Sequence, residues 1–141
     1  WGPSYRRSFS DVIIGALRSG NSVTLFRDVF YTPILVEAVV RATHDLIDRA
    51  ASGIFHVTGD ERISKYEFGL KIADRFNLDA TLIKQGVLRD AALPVARPLD
   101  MSLCNKKTRD CLGRTLGSVN EHLLSLLHQE ENGGAGELLS L

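Results

Sequence analysis

The side chains here with the chemistry for metal binding, nucleophilic attack or proton transfer are two cysteines, four histidines and three tyrosines. Cys104 and Cys111 stand seven positions apart, two turns on a helix, too far for a local disulfide. None of His44, His56, His122 and His128 falls near them at metal-ligand spacing, so the cysteines read as ordinary free thiols in a reducing, cytoplasmic compartment. A tyrosine acting as proton donor beside a nicotinamide needs a lysine one helical turn later. Tyr5, Tyr31 and Tyr66 are followed at that offset by Phe9, Leu35 and Leu70. A dinucleotide site needs glycines that let the backbone approach the pyrophosphate at a helix N-terminus. No G-x-G-x-x-G occurs, nor a G-x-S-x-G, H-E-x-x-H or G-K-[ST] motif. On its own residues the chain carries no recognisable catalytic apparatus.

Composition narrows the class. The 141 residues suffice for one domain, and 44% apolar content allows a sizeable core. Seventeen basic and seventeen acidic side chains cancel, which argues against a basic nucleic-acid module. No apolar run approaches the roughly 18 residues of a membrane span. The start, WGPSYRRSFS, lacks the apolar stretch of a signal peptide.

These residues must be positioned by a mixed α/β chain with more helix than strand. Ser8 is a plausible N-cap for a helix with apolar positions Phe9, Val12, Ile13, Ala16 and Leu17, stopped at Gly20. Residues 22–26 read as a strand. Thr32-Pro33 introduces a second helix, with Pro33 in its first turn and Val36, Val39, Val40, Leu46 and Ile47 facing inward. Residues 53–59, GIFHVTG, read as a short buried strand. Ser64 and Glu67 form a capping box, with Ile63 and Phe68 as its hydrophobic staple. A third β-like run covers 81–84, and residues 86–101 read as an irregular crossing loop. Residues 105–112 form a short helix stopped by Gly113, and Ser118 with Glu121 opens a last helix. Three short strands cannot cover four or five amphipathic helices, so the chain reads as part of something larger.

The run from Gly53 to Leu112 carries a resemblance. The segments GIFHVTG (53–59), ISKYEF (63–68) and ARPLDMSL (96–103), in that order, resemble the C-terminal half of dTDP-4-dehydrorhamnose reductase and its sugar-nucleotide-reductase relatives, which are extended short-chain dehydrogenases. Residues 30–36, FYTPILV, fit the segment entering a helix on the family's Rossmann sheet. Trp1-Gly2-Pro3 resembles the aromatic-glycine turn that opens the substrate-binding half.

The resemblance implies a fold: the C-terminal portion of an extended short-chain dehydrogenase, a remainder of the Rossmann-type sheet plus a small α/β substrate-binding part. Residues 1–129 would form that part and 130–141 a flexible tail. It implies a parent that uses NADP(H) to reduce a 4-keto sugar nucleotide, its glycine-rich loop and Tyr/Lys pair lying in an N-terminal Rossmann half upstream of Trp1. This chain alone would then bind no cofactor and turn nothing over. Arg97 would face the nucleotide diphosphate, since guanidinium binds phosphate oxygens bidentately and stays charged. Pro98 would stiffen its loop, Trp1 would stack on sugar or base, and Arg6 beside Arg7 would reach a phosphate. Cys104 departs from the family's usual aspartate. Partners implied are the sugar nucleotide, the missing Rossmann half and a possible homodimer, with neither nucleic acid nor membrane. Two other readings stay open. One is a non-catalytic regulatory subunit of the same superfamily, like that of methionine adenosyltransferase; the other is a self-standing small α/β binding domain.

Overall fold

A computed structural model describes residues 8–91 and 95–132. The chain runs α1 (Phe9–Arg18), β1 (Val23–Phe26), β2 (Phe30–Tyr31), α2 (Val36–Asp48), β3 (Ile63–Ser64), α3 (Lys65–Arg75), β4 (Ile83–Gly86), α4 (Lys106–Leu112) and α5 (Val119–Glu131). β1 and β4 pair in parallel, Val23 opposite Ile83. β2 and β3 pair antiparallel, and Phe30 also bridges Asp100 in parallel, so residues 99–101 lie as a third line on that ribbon.

The helix starts follow their local chemistry. Ser8, Ser64 and Ser118 each accept from the backbone N–H three residues on, while Asp11, Glu67 and Glu121 accept in return from the capping serine's N–H. Each box satisfies two N–H groups that a helix start otherwise leaves open. Gly113, at φ 67°, ends α4 in the left-handed region that suits glycine. Asn77 takes the same region at φ 52°, just past the end of α3.

Two cores result. In the larger, α3 is central: Phe68, Ile72 and Ala73 pack with Ile13 and Leu17 of α1, Leu25 of β1, Ile83 of β4, and Val119 and Leu123 of α5. Phe9, Tyr31 and Phe68 form an aromatic group, Tyr31 edge-on to both others. Burying a side chain such as Phe68 contributes about 1.5–3 kcal/mol. The smaller core joins Ala42 and Leu46 of α2 to Leu112 and Leu116, with Phe55 and Val57 against them.

Several sequence expectations need correction. In α1 the buried residues are Ser10, Ile13, Ile14 and Leu17, and Val12 is exposed. Pro33 precedes the N-cap Leu35 of α2, outside its first turn. Of the five apolar residues expected to face inward from α2, Val36, Val40 and Ile47 are exposed. The third strand begins at Ile83, two residues later than read, because residues 80–82 form a single 3-10 turn capped by Asp79. Residues 53–59 are not a buried strand: Gly53 is a bend at φ 94°, and Ile54 is 81% exposed. A strand is defined by a paired neighbour, and no described backbone pairs with this segment. The pairs β2 and β3 went unread, since two residues carry no detectable alternation.

Candidate functional site

The β2–β3 ribbon gathers the charged residues around the expected substrate loop. The Phe30 N–H donates to the Leu99 carbonyl at 2.7 Å, and the Met101 N–H donates to the Phe30 carbonyl at 2.9 Å. These two bonds fix the stretch after Pro98 against β2. Asp100 turns back on itself, accepting from both the N–H and the hydroxyl of Ser102. Across the ribbon, Arg62 donates from Nε and Nη2 to Asp100 Oδ2 at 3.0 and 2.9 Å. Its guanidinium lies 3.7 Å from the centroid of the Phe30 ring, a cation–π stack. The Ser102 bonds first, and then Arg62, pull the Asp100 carboxyl down to about 2.

Arg97 and Pro98 are exposed on the approach to this ribbon. Arg97 stands close enough to Lys65, the first residue of α3, for its charge to act on that ammonium. Burial, and then the Arg97 charge, lower the Lys65 pKa. Lys65 Nζ also lies 5.1 Å from the Phe9 ring. Among the described residues neither Lys65 nor Arg97 has a carboxylate within ion-pair distance. Two cations that form no ion pair among the described residues therefore stand near the start of α3, where Glu67 is engaged in the capping box with Ser64. The arrangement suits a doubly charged anion such as a diphosphate.

Trp1 and Arg6, with Arg7, lie outside the described residues. Lys65 read as a helix-start residue in the sequence, and its second role was not legible there. Arg62, Phe30 and Asp100 also went unread. They are far apart in the chain, and only the ribbon pairing makes them neighbours.

Two open clefts lie elsewhere. One, of about 520 Å³, is lined by Ile54, His56, Cys104, Lys106, Lys107 and Asp110. The other, of about 660 Å³, is lined by Val40, Arg41, His44, Asp45 and Arg114. Cys104 and Cys111 are both free, and no metal-ligating cluster occurs among the described residues. No described helix is long and apolar enough to cross a membrane.

The described elements do not supply a dinucleotide cradle. β1 leads through Arg27 and Asp28 into β2, and β4 leads into a single 3-10 turn at Leu88–Asp90. Neither parallel strand feeds a helix through a glycine-rich turn, which is what brings helix N–H groups to a pyrophosphate.

A family model described as "RmlD substrate binding domain" matches residues 3–132. The probable low-salt glycan biosynthesis reductase Agl14 of Haloferax volcanii is 32% identical over 118 residues, covering 84% of this chain and 39% of that protein. A hypothetical dTDP-4-dehydrorhamnose reductase from Sulfolobus tokodaii superposes with a TM-score of 0.69 at 30% identity, over 80% of this chain and 40% of that one. The dTDP-4-dehydrorhamnose reductase of Bacillus anthracis, solved in complex with NADP, superposes with a TM-score of 0.81 at 19% identity, over 92% of this chain and 45% of that one. The chain thus spans less than half the length of the relatives it matches. Its mixed α/β fold is that of the C-terminal portion of an extended short-chain dehydrogenase. With the match running nearly end to end, the chain belongs to the RmlD substrate-binding domain family, the family of the dTDP-4-dehydrorhamnose reductases.

Proposed function

We propose that this chain is the substrate-binding half of an NADP(H)-dependent reductase that acts on a 4-keto sugar nucleotide. Arg97 holds the diphosphate, with Lys65 beside it. The observation that carries the reading is that Arg97, exposed beside the ribbon, and Lys65, first residue of α3, form no ion pair among the described residues, within a chain of the sugar-nucleotide-reductase family.

Each residue's task follows from its place. Arg97 offers planar paired donors to phosphate oxygens. Lys65 adds a point charge, and its lowered pKa rises when an anion arrives to offset Arg97. Pro98 limits the backbone freedom of the Arg97 loop, and the Asp100–Arg62 pair anchors that loop's far end on the ribbon. Trp1 and Arg6 complete the proposed contact set at sugar and phosphate. The cofactor supplies hydride when bound. The described residues offer no glycine-rich strand-to-helix turn for it, so we assign it to the part of a longer polypeptide outside these residues. The chain by itself is assigned no turnover.

The test is calorimetric titration of dTDP into the native protein. Arg97→Ala should weaken binding about 10–100-fold, the range for a lost charge-assisted contact. Arg97→Lys should recover part of it. Arg89→Ala is the control, since Arg89 is well exposed and pairs only with its neighbour Asp90. Equal affinity of wild type and Arg97→Ala overturns the proposal, as does a 141-residue chain that oxidises NADPH unaided.

A further inference from the structure

Phe30 sits opposite Asp100 in parallel, bonded to the Leu99 carbonyl and the Met101 N–H. Carried two residues further, that register would bring the Leu103 N–H to the Thr32 carbonyl. The carbonyl is already taken. Thr58 Oγ1 lies 2.5 Å from it, and 2.6 Å from Thr32 Oγ1. The Leu103 N–H donates instead to Thr32 Oγ1, at 3.2 Å. A side-chain hydroxyl thus replaces the backbone acceptor, and the ribbon ends there.

Thr58 has one hydroxyl hydrogen and cannot give it to both Thr32 oxygens. The arrangement that leaves no hydrogen unused has Thr58 donating to the Thr32 carbonyl and the Thr32 hydroxyl donating back to Thr58 Oγ1, while Thr32 Oγ1 accepts from Leu103. Three segments meet at this pair: the chain after β2, residues 53–59 and the stretch that follows Arg97. Thr58 is 5% exposed, and its own carbonyl accepts from the buried Asn105 amide at 2.8 Å. The loop after Arg97 therefore has two anchors. Arg62 holds Asp100 in a half-exposed ion pair, whereas Thr32 holds Leu103 and is itself held by a buried residue.

We propose that Thr32 and Thr58 are positioning residues for the diphosphate contact at Arg97: their paired hydroxyls fix Leu103, and with it the place of the Arg97 loop beside Lys65. The inference rests on the proposed reading of Arg97 as that contact. Both hydroxyl hydrogens are spent within the pair, so neither threonine has one to offer an anion. They act through Arg97.

The experiment is calorimetric titration of dTDP into the native protein, arranged as a double-mutant cycle. Thr32→Val keeps the side-chain shape and removes the acceptor of the Leu103 N–H. It should weaken dTDP about 3–10-fold, the range for one lost hydrogen bond between uncharged groups. Thr32→Ser keeps the hydroxyl and should bind as wild type does. Added to Arg97→Ala, Thr32→Val should cause no further loss, because a positioning residue acts only through the group it positions. Hydrogen exchange checks the geometry: in Thr32→Val the Leu103 amide should exchange faster, with the Ile72 amide unchanged. Thr58→Val breaks the same pair from its buried side and carries the cycle if Thr32→Val does not fold. Wild-type affinity in the valine variant overturns the proposal. So does a loss that adds in full to that of Arg97→Ala, or a serine variant no better than valine. Wild-type affinity in Arg97→Ala would instead sink the substrate reading, and the positioning role with it.

Discussion

Arg62 reaches across the ribbon to Asp100, two guanidinium N–H groups on one carboxylate oxygen, while its flat face rests on Phe30. The pair is half-exposed, so its effect on stability is small. Its consequence is positional: it fixes residue 100 three places after Arg97. Asp100 should titrate near 2 when followed by carboxyl NMR. Its folded pKa is depressed, so the stabilisation it gives is complete above the ordinary aspartate value of about 3.9 and fades as pH falls through 2. Arg62→Ala should raise the Asp100 pKa only part of the way, because the Ser102 bonds are the larger cause. A full return to 3.9 would contradict that order.

His122 should make stability fall on acidification. It is 5% exposed, and burial lowers its pKa below the ordinary 6.5. The neutral ring is the folded form, so stability is complete above about pH 6.5 and declines as pH drops towards the folded pKa. Urea midpoints at pH 7.0 and 5.5 should differ in wild type, and the difference should shrink in His122→Asn. An unchanged slope in the variant would assign the effect elsewhere.

Gly59 and Gly15 should respond to alanine with opposite signs. A Cβ on Gly59 would stand 2.1 Å from the Pro33 carbonyl oxygen, a backbone atom that cannot step aside. Gly59→Ala should cost about 1–3 kcal/mol or more by denaturant unfolding. Gly15 lies within α1, where an added methyl group would meet nothing within 4 Å, so Gly15→Ala should stabilise by about 0.5–1 kcal/mol.

Asn105 should be among the costliest polar positions to truncate. Its buried amide donates to the Thr58 and Gly59 carbonyls and to Asp60 Oδ1, while Asp60 Oδ2 accepts from the Leu116 and Gly117 N–H groups. Asn105→Ala leaves several acceptors without their donor, a loss of about 1–3 kcal/mol. Thr108→Val removes only the bond to His56 and should cost about 1 kcal/mol. Equal effects in the two variants would contradict the network.

The local signals in the sequence settled what local chemistry can settle. Ser8, Ser64 and Ser118 each start a helix because a cap acts within three residues, and Gly113 ends one because its backbone turns left-handed there. The family was legible for a related reason: ordered short segments between 53 and 103 survive as strings. Burial was not local. Val36, Val40 and Ile47 carry the periodicity of an inward face, and tertiary packing leaves them outside because the smaller core takes Ala42 and Leu46 instead. Residues 53–59 have a strand's composition, yet pairing belongs to two segments and not to one. The meeting of Arg62 with Asp100, and of Lys65 with Arg97, was likewise decided only in three dimensions. The ribbon brings together residues more than thirty positions apart, and no spacing within the sequence encodes that approach.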